Sequence, residues 1–287
     1  MKFSILILIF LFGLIDMHAD EASKEKMAVM SGEVIAFMGD SITAGGRNPG
    51  GYCSLVLSVL KNEGINVSPV FAGRSGHKSN QMLARLEKDV LSKKPDWMTL
   101  SCGVNDVWHG SRGVNLEDYK KNMTEIVEKA QAAGVKVMIL TSTMIKEDQK
   151  GDLNQKLIPY NAFLRELAVE KKCLLADLNH DMQESLKAFP ADAPKGKQLT
   201  TDGVHMNQKG NFMMATGVLK AFKVSDVAID KMVEIWKNTP DGKTLRINLK
   251  MSINEYESIQ KKEEIAPEKF FTLLLDKKKK EILKAIE

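Results

Sequence analysis

The chain has 287 residues, 44% hydrophobic and 27% charged, which is enough apolar material for a full-sized core and argues against a disordered polypeptide. Its formal net charge of +4 is too weak a bias to imply nucleic acid as a partner. Three cysteines at wide spacing, Cys53, Cys102 and Cys173, signal neither a disulfide framework nor a zinc site, and read as buried free thiols.

Residues 1–19 have the form of a secretory signal peptide: Lys2, an apolar run from Phe3 to Ile15, then a short polar stretch containing Ala19. The run is too short to span a bilayer comfortably, so the mature protein is expected in the periplasm or outside the cell, with no membrane attachment once the leader is gone.

Beyond the leader, Glu33–Met38 is an apolar strand ending at Gly39, and Tyr52–Glu63 carries apolar residues at helical spacing. The alternation continues with a strand at Val67–Phe71, a helix over Asn80–Leu91, a strand at Asp96–Ser101 and a helix from Leu116 to Ala133, stopped by Gly134. Val135–Leu140 is a near-continuous apolar run, as in a strand covered on both faces. Asn154–Lys171 is a long amphipathic helix leading into a strand at Cys173–Leu178, and the last helix spans Gln208–Phe222. Strands alternating with helices predict an α/β fold, a three-layer α/β/α sandwich around a five-stranded parallel sheet, with functional groups at the carboxyl ends of the strands.

The composition changes after residue 224. Residues 225–287 are rich in Lys and Glu and read as a small C-terminal α+β extension: a strand at Thr244–Lys250, a helix begun at Ser252 with Glu255 completing a capping box, a break at Pro267 and a second helix. Phe270, Phe271, Leu273, Leu274 and Leu275 are too many apolar groups to leave in water, so this extension is expected to pack on the 31–224 domain or to form a homo-oligomer contact. The lysine run between Asp276 and Glu281 reads as a solvated helix face.

Four polar, glycine-bearing clusters sit at the strand ends or just before the last helix: Gly39-Asp40-Ser41, Gly73-Arg74-Ser75-Gly76, Gly103-Val104-Asn105-Asp106 and Asp202-Gly203-Val204-His205. Ser41 occupies a sharp strand-to-helix turn, where a hydroxyl can stand clear of the sheet; on its own it would equally serve as a helix cap. Among the five histidines, only His205 has an aspartate three residues before it with a glycine between the two, so Asp202 can fix the imidazole tautomer while the other ring nitrogen serves Ser41. The backbone amides of Ser41 and Gly76 and the side-chain NH2 of Asn105 are suitable donors to an oxyanion. Asp40 and Asp106 flank these groups and read mainly as holders of loop backbone, although Asp40, with Arg74, Trp108 and His109, is also a candidate substrate contact. Trp108 either offers a flat face for a sugar ring or covers the edge of the core. His77, His109 and His205 share no metal-ligand spacing, and no metal site is expected.

Residues 39–46 (GDSITAGG), 72–79 (AGRSGHKS), 103–106 (GVND) and 202–205 (DGVH) together resemble the four blocks of the SGNH hydrolases of the GDSL esterase and lipase superfamily, over Glu33 to Phe222. The resemblance implies a flavodoxin-like SGNH hydrolase fold and an ester hydrolase without metal or organic cofactor. It makes Ser41 the nucleophile and Asp202 and His205 the other triad members, with Ser41, Gly76 and Asn105 as the oxyanion hole. Arg74 stands where family members often carry a smaller residue. The substrate class expected is an O-acetylated carbohydrate; the alternatives are a lysophospholipase or thioesterase, and an inactive glycan-binding module.

Overall fold

A computed structural model describes residues 27–190 and 196–238. The expected leader at 1–19 and the expected strand and helices of 244–287, with the oligomer contact assigned to them, lie outside the described residues.

Five strands form one sheet, β1 (Val34–Gly39), β2 (Ser68–Gly73), β3 (Trp97–Ser101), β4 (Lys136–Leu140) and β5 (Leu174–Ala176), in the order β2-β1-β3-β4-β5. Every pairing is parallel. From Ile35 onward β1 is wholly buried, as is all of β3, because both strands lie inside the sheet and are covered on both faces. The edge strand β2 exposes Ser68, Pro69 and Phe71, and tolerates a proline there because one side of an edge has no ladder partner.

The helices are α1 (Ser41–Gly46), α2 (Tyr52–Asn62), α3 (Ser79–Asp89), α4 (Val104–Trp108), α5 (Leu116–Ala132), α6 (Asp152–Glu170), α7 (Leu178–Lys187), α8 (Gln208–Ala221) and α9 (Asp226–Asn238). They pack as two groups, α2 with α8, α7 and α9, and α3 with α5 and α6, giving the expected three layers. Asn115 opens α5 by accepting from the Asp118 amide, and Gly134 follows it at φ +80°, the left-handed conformation a glycine supplies without strain.

Two elements differ from the sequence reading. A helix, α7, occupies residues 178–187, between the expected strand at 173–178 and the expected last helix at 208–222, a stretch to which no element is assigned from the sequence; Asp177 nucleates it by accepting from the His180 amide, and Leu178 and Met182 are buried beneath it. The second is α9, which follows residue 224, where the C-terminal extension is expected to begin, yet joins the main body. Ala228, Ile229, Met232 and Trp236 join the main core, and Trp236 stacks on Phe212 of α8 at a centroid separation of 5.5 Å.

The three cysteines are unpaired; burial pushes the thiols of Cys53 and Cys173 up to about 12 and about 11, so they stay protonated and unreactive at neutral pH. Among the described residues no helix is long and apolar enough to cross a membrane.

Candidate active site

The strand order runs outward from β1 in one direction and from β3 in the other, so the carboxyl ends of these neighbours form the crevice in which α/β sheets place ligands. Ser41 stands one residue beyond the end of β1 and is the first residue of α1. The residue that caps this helix is Asp40, whose carboxylate accepts from the Ile42 amide at 2.9 Å; the serine hydroxyl is therefore available for another partner. That partner is His205, whose Nε2 lies 2.8 Å from Ser41 Oγ across a sequence separation of 164 residues.

The other ring nitrogen of His205, Nδ1, lies 2.6 Å from Asp202 Oδ2. Asp202 Oδ1 also accepts from the amides of Val204 at 3.0 Å and His205 at 2.8 Å, which closes the loop around the carboxylate. Partial burial alone would raise this carboxyl, but donation by the His205 ring and the two amides outweighs it and holds Asp202 down at about 2. Asp202 is therefore an anion throughout the neutral range. It fixes the proton on Nδ1 and leaves the Nε2 lone pair facing the serine hydroxyl, an arrangement in which a proton can pass from oxygen to nitrogen.

The loop after β2 brings Gly76 to the same place. It stands at φ +75°, where residues with a side chain are disfavoured, so the backbone can turn its peptide toward the crevice. Asn105 enters from the first turn of α4, after Gly103 at φ +135°; a Cβ on that glycine would meet Ser142 Oγ at 2.2 Å. Ser41, Ser75, Gly76, Asn105, Trp108, His109, Arg112 and His205 line a cavity of about 550 Å³.

Asn105 Nδ2 donates to Asp40 Oδ2 and to the His77 carbonyl, each at 3.2 Å. Asp40 is only 3% exposed, and burial pushes its carboxyl up to about 6 against the lowering effect of the Ile42 amide and of His205. Asp106 is also buried, which raises its carboxyl; it accepts from the amide and hydroxyl of Ser79, tying the start of α3 to α4.

Trp108 is 42% exposed, and His109, held through Nδ1 to the Asn105 carbonyl at 2.8 Å, lies beside it; both line the cavity. Two expectations need correction. Asp40 is not at the cavity surface, because it is committed beneath Asn105 and α1. Arg74 is not there either: its guanidinium turns away to the Asp89 carboxylate at 2.9 Å, an anion it shares with the buried Arg85. Conversely, Ser75 and Arg112 line the cavity without having been singled out. Arg112 lies in the Gly110–Gly113 segment that continues the Trp108–His109 loop, and that continuity was the one signal the sequence offered.

His77 accepts at Nδ1 from Arg85 Nε at 3.2 Å, and burial, followed by the nearby Arg85 and Arg74 charges, lowers its basicity. Among the described residues no group of three or more His, Cys, Asp and Glu side chains is arranged to hold a metal ion.

The model of the GDSL-like lipase/acylhydrolase family matches residues 37–211, the span that carries every one of these groups. The chain belongs to this family. It is accordingly a carboxylic ester hydrolase, and its fold is that of the SGNH hydrolases. It is similar to an acetylxylan esterase of Geobacillus stearothermophilus, 27% identical over 215 residues that cover 68% of this chain and 95% of the relative. The crystal structure of Axe2, an acetylxylan esterase from the same organism, superposes with a TM-score of 0.63 at 25% identity, covering 69% of this chain and 98% of the other. The acetyl xylan esterase AlAXEase superposes with a TM-score of 0.62 at 34% identity, covering 66% of this chain and 98% of that one.

Proposed function

We propose that the chain is an exported serine esterase that removes O-acetyl groups from a carbohydrate, with Ser41 as nucleophile and His205 as general base. The observation that carries the mechanism is the pair of contacts on opposite edges of the His205 ring, 2.8 Å to Ser41 and 2.6 Å to Asp202.

In the first step Ser41 Oγ attacks the acetyl carbonyl carbon while its proton moves to His205 Nε2, and Asp202 stabilises the imidazolium through Nδ1–H. The carbonyl oxygen becomes an oxyanion, which the amides of Ser41 and Gly76 and the Asn105 side chain receive. Both Asn105 donations are long at 3.2 Å, so the amide gives up little when it turns toward a full negative charge. Collapse of the intermediate breaks the bond to the sugar oxygen, which leaves with the proton from Nε2. Water then repeats the sequence on the acetyl-serine and releases acetate.

The acetylated carbohydrate is supported by the acetylxylan esterase relatives and by Trp108, an exposed ring in the cavity lining on which a sugar can lie. Export is supported by the leader-like residues 1–19. A p-nitrophenyl ester series from acetate to laurate, followed by acetate release from acetylated xylan, tests the reading. Preference for acetate with release from the polymer is expected; preference for long acyl chains would replace it with a lipid or thioester substrate.

A further inference from the structure

Glu147, in the loop after β4, is absent from the four sequence blocks and from the cavity lining, yet four donors from one short segment converge on its carboxylate. Oε2 accepts from the Gln198 amide at 2.7 Å, and Oε1 accepts from the Leu199 amide at 2.8 Å, the Thr200 amide at 2.7 Å and the Thr200 hydroxyl at 2.6 Å. Residues 198–200 immediately precede the loop that carries Asp202 and His205.

The connection reaches the triad loop by two routes. Thr200 Oγ1, while donating to Glu147, accepts from the Gly203 amide at 3.1 Å, and the Lys146 amide donates to the Gly203 carbonyl at 2.6 Å. Gly203, between Asp202 and His205, is thus gripped at both ends of its backbone. Lys146 and Glu147 adopt φ +61° and φ +53°, a left-handed pair that non-glycine residues occupy only when surrounding contacts over-determine it. The loop itself is short and closed, with the Thr201 amide donating to the His205 carbonyl at 2.8 Å. A displacement at Thr200 therefore passes to the imidazole rather than being absorbed.

We propose that Glu147 is a positioning residue for the ester hydrolysis: its carboxylate holds residues 198–200, and through the Thr200 hydroxyl and Gly203 it sets the placement of His205 against Ser41. The role requires a carboxylate, because all four groups facing it are donors. A glutamine would turn its own NH2 toward one of them.

The inference rests on the Ser41–His205 reading, and the full-length chain tests both on p-nitrophenyl acetate. Glu147→Gln and Thr200→Val should each unfold cooperatively yet lower kcat, by about 10²-fold for Glu147→Gln, with KM nearly unchanged, since a misplacement on the order of 1 Å costs that much. Thr200→Ser, which keeps the hydroxyl, should restore near wild-type turnover. A downfield proton resonance of His205 Nδ1–H is expected in the wild type, should be lost in the first two variants and should return in the third. Wild-type kcat in a folded Glu147→Gln or Thr200→Val, a loss confined to KM, or equal losses in Thr200→Ser and Thr200→Val would overturn the proposal. If Glu147→Gln does not fold, the two Thr200 variants decide alone. Ser41→Ala, run alongside, separates the failures: retained activity there would sink the triad reading itself, whereas an inactive Ser41→Ala beside an unimpaired Glu147→Gln would sink only this inference.

Discussion

Asp40 and Asn105, 65 residues apart, are joined side chain to side chain at 3.2 Å beneath the floor of the cavity. The residue that caps the Ser41 helix is thereby also the residue that orients the Asn105 amide, so nucleophile and oxyanion donor share one buried support.

Replacing Asn105 by alanine should lower kcat by roughly 10²- to 10³-fold and change KM much less, because the oxyanion it receives exists only near the transition state. Steady-state kinetics on p-nitrophenyl acetate check this. A change chiefly in KM would make Asn105 a substrate binder instead.

The raised carboxyl of Asp40 has a consequence for stability. Its folded value of about 6 lies above the ordinary 3.8, so the folded chain holds this proton more tightly than the unfolded chain does. The contribution is fully present below about pH 4 and is lost as pH rises through about 6, a change on the order of 2–3 kcal/mol. Asp40→Asn cannot titrate. Urea unfolding from pH 4 to 7 should therefore show the wild type losing stability relative to the variant across that window; parallel profiles would contradict the assignment.

Much of this arrangement was legible in the sequence, for identifiable physical reasons. Buried parallel strands must be apolar on both faces, so β1, β3 and β4 stand out as short apolar runs, and the turns after the first two carry glycines that mark Ser41 and Asn105. The direction in which a side chain leaves such a turn is set by tertiary partners and was not legible. Asp40 and Arg74 sit beside site residues in the chain, yet one is drawn under Asn105 and the other out to Asp89. The α7 helix was missed because its residues are largely polar and only Asp177 marks its start. Glu147 carries no local signature at all, since its partners lie more than fifty residues further on.

Trp108→Ala should raise KM for acetylated xylo-oligosaccharides by about tenfold while leaving p-nitrophenyl acetate nearly unaffected, as expected if the ring supports the sugar and takes no part in bond breaking. Equal losses on both substrates would place Trp108 in the structure of the α4 loop rather than in recognition.

Trp236→Ala should cost ~3 kcal/mol of unfolding free energy, since a buried aromatic ring is deleted from its stack on Phe212, with turnover per folded molecule unchanged. Denaturant unfolding together with kcat decides it. An unaltered midpoint would show that α9 contributes nothing to the catalytic body.

The central claim is that the hydroxyl 2.8 Å from His205 Nε2 is the attacking group. The most direct measurement combines turnover of Ser41→Ala with mass-spectrometric mapping of the adduct left by an aryl phosphonate on the wild type. The account predicts a loss of ~10⁴-fold or more in turnover and a single adduct on Ser41 that does not form in His205→Ala. More than about a tenth of wild-type turnover in Ser41→Ala, or an adduct on another residue, would contradict it.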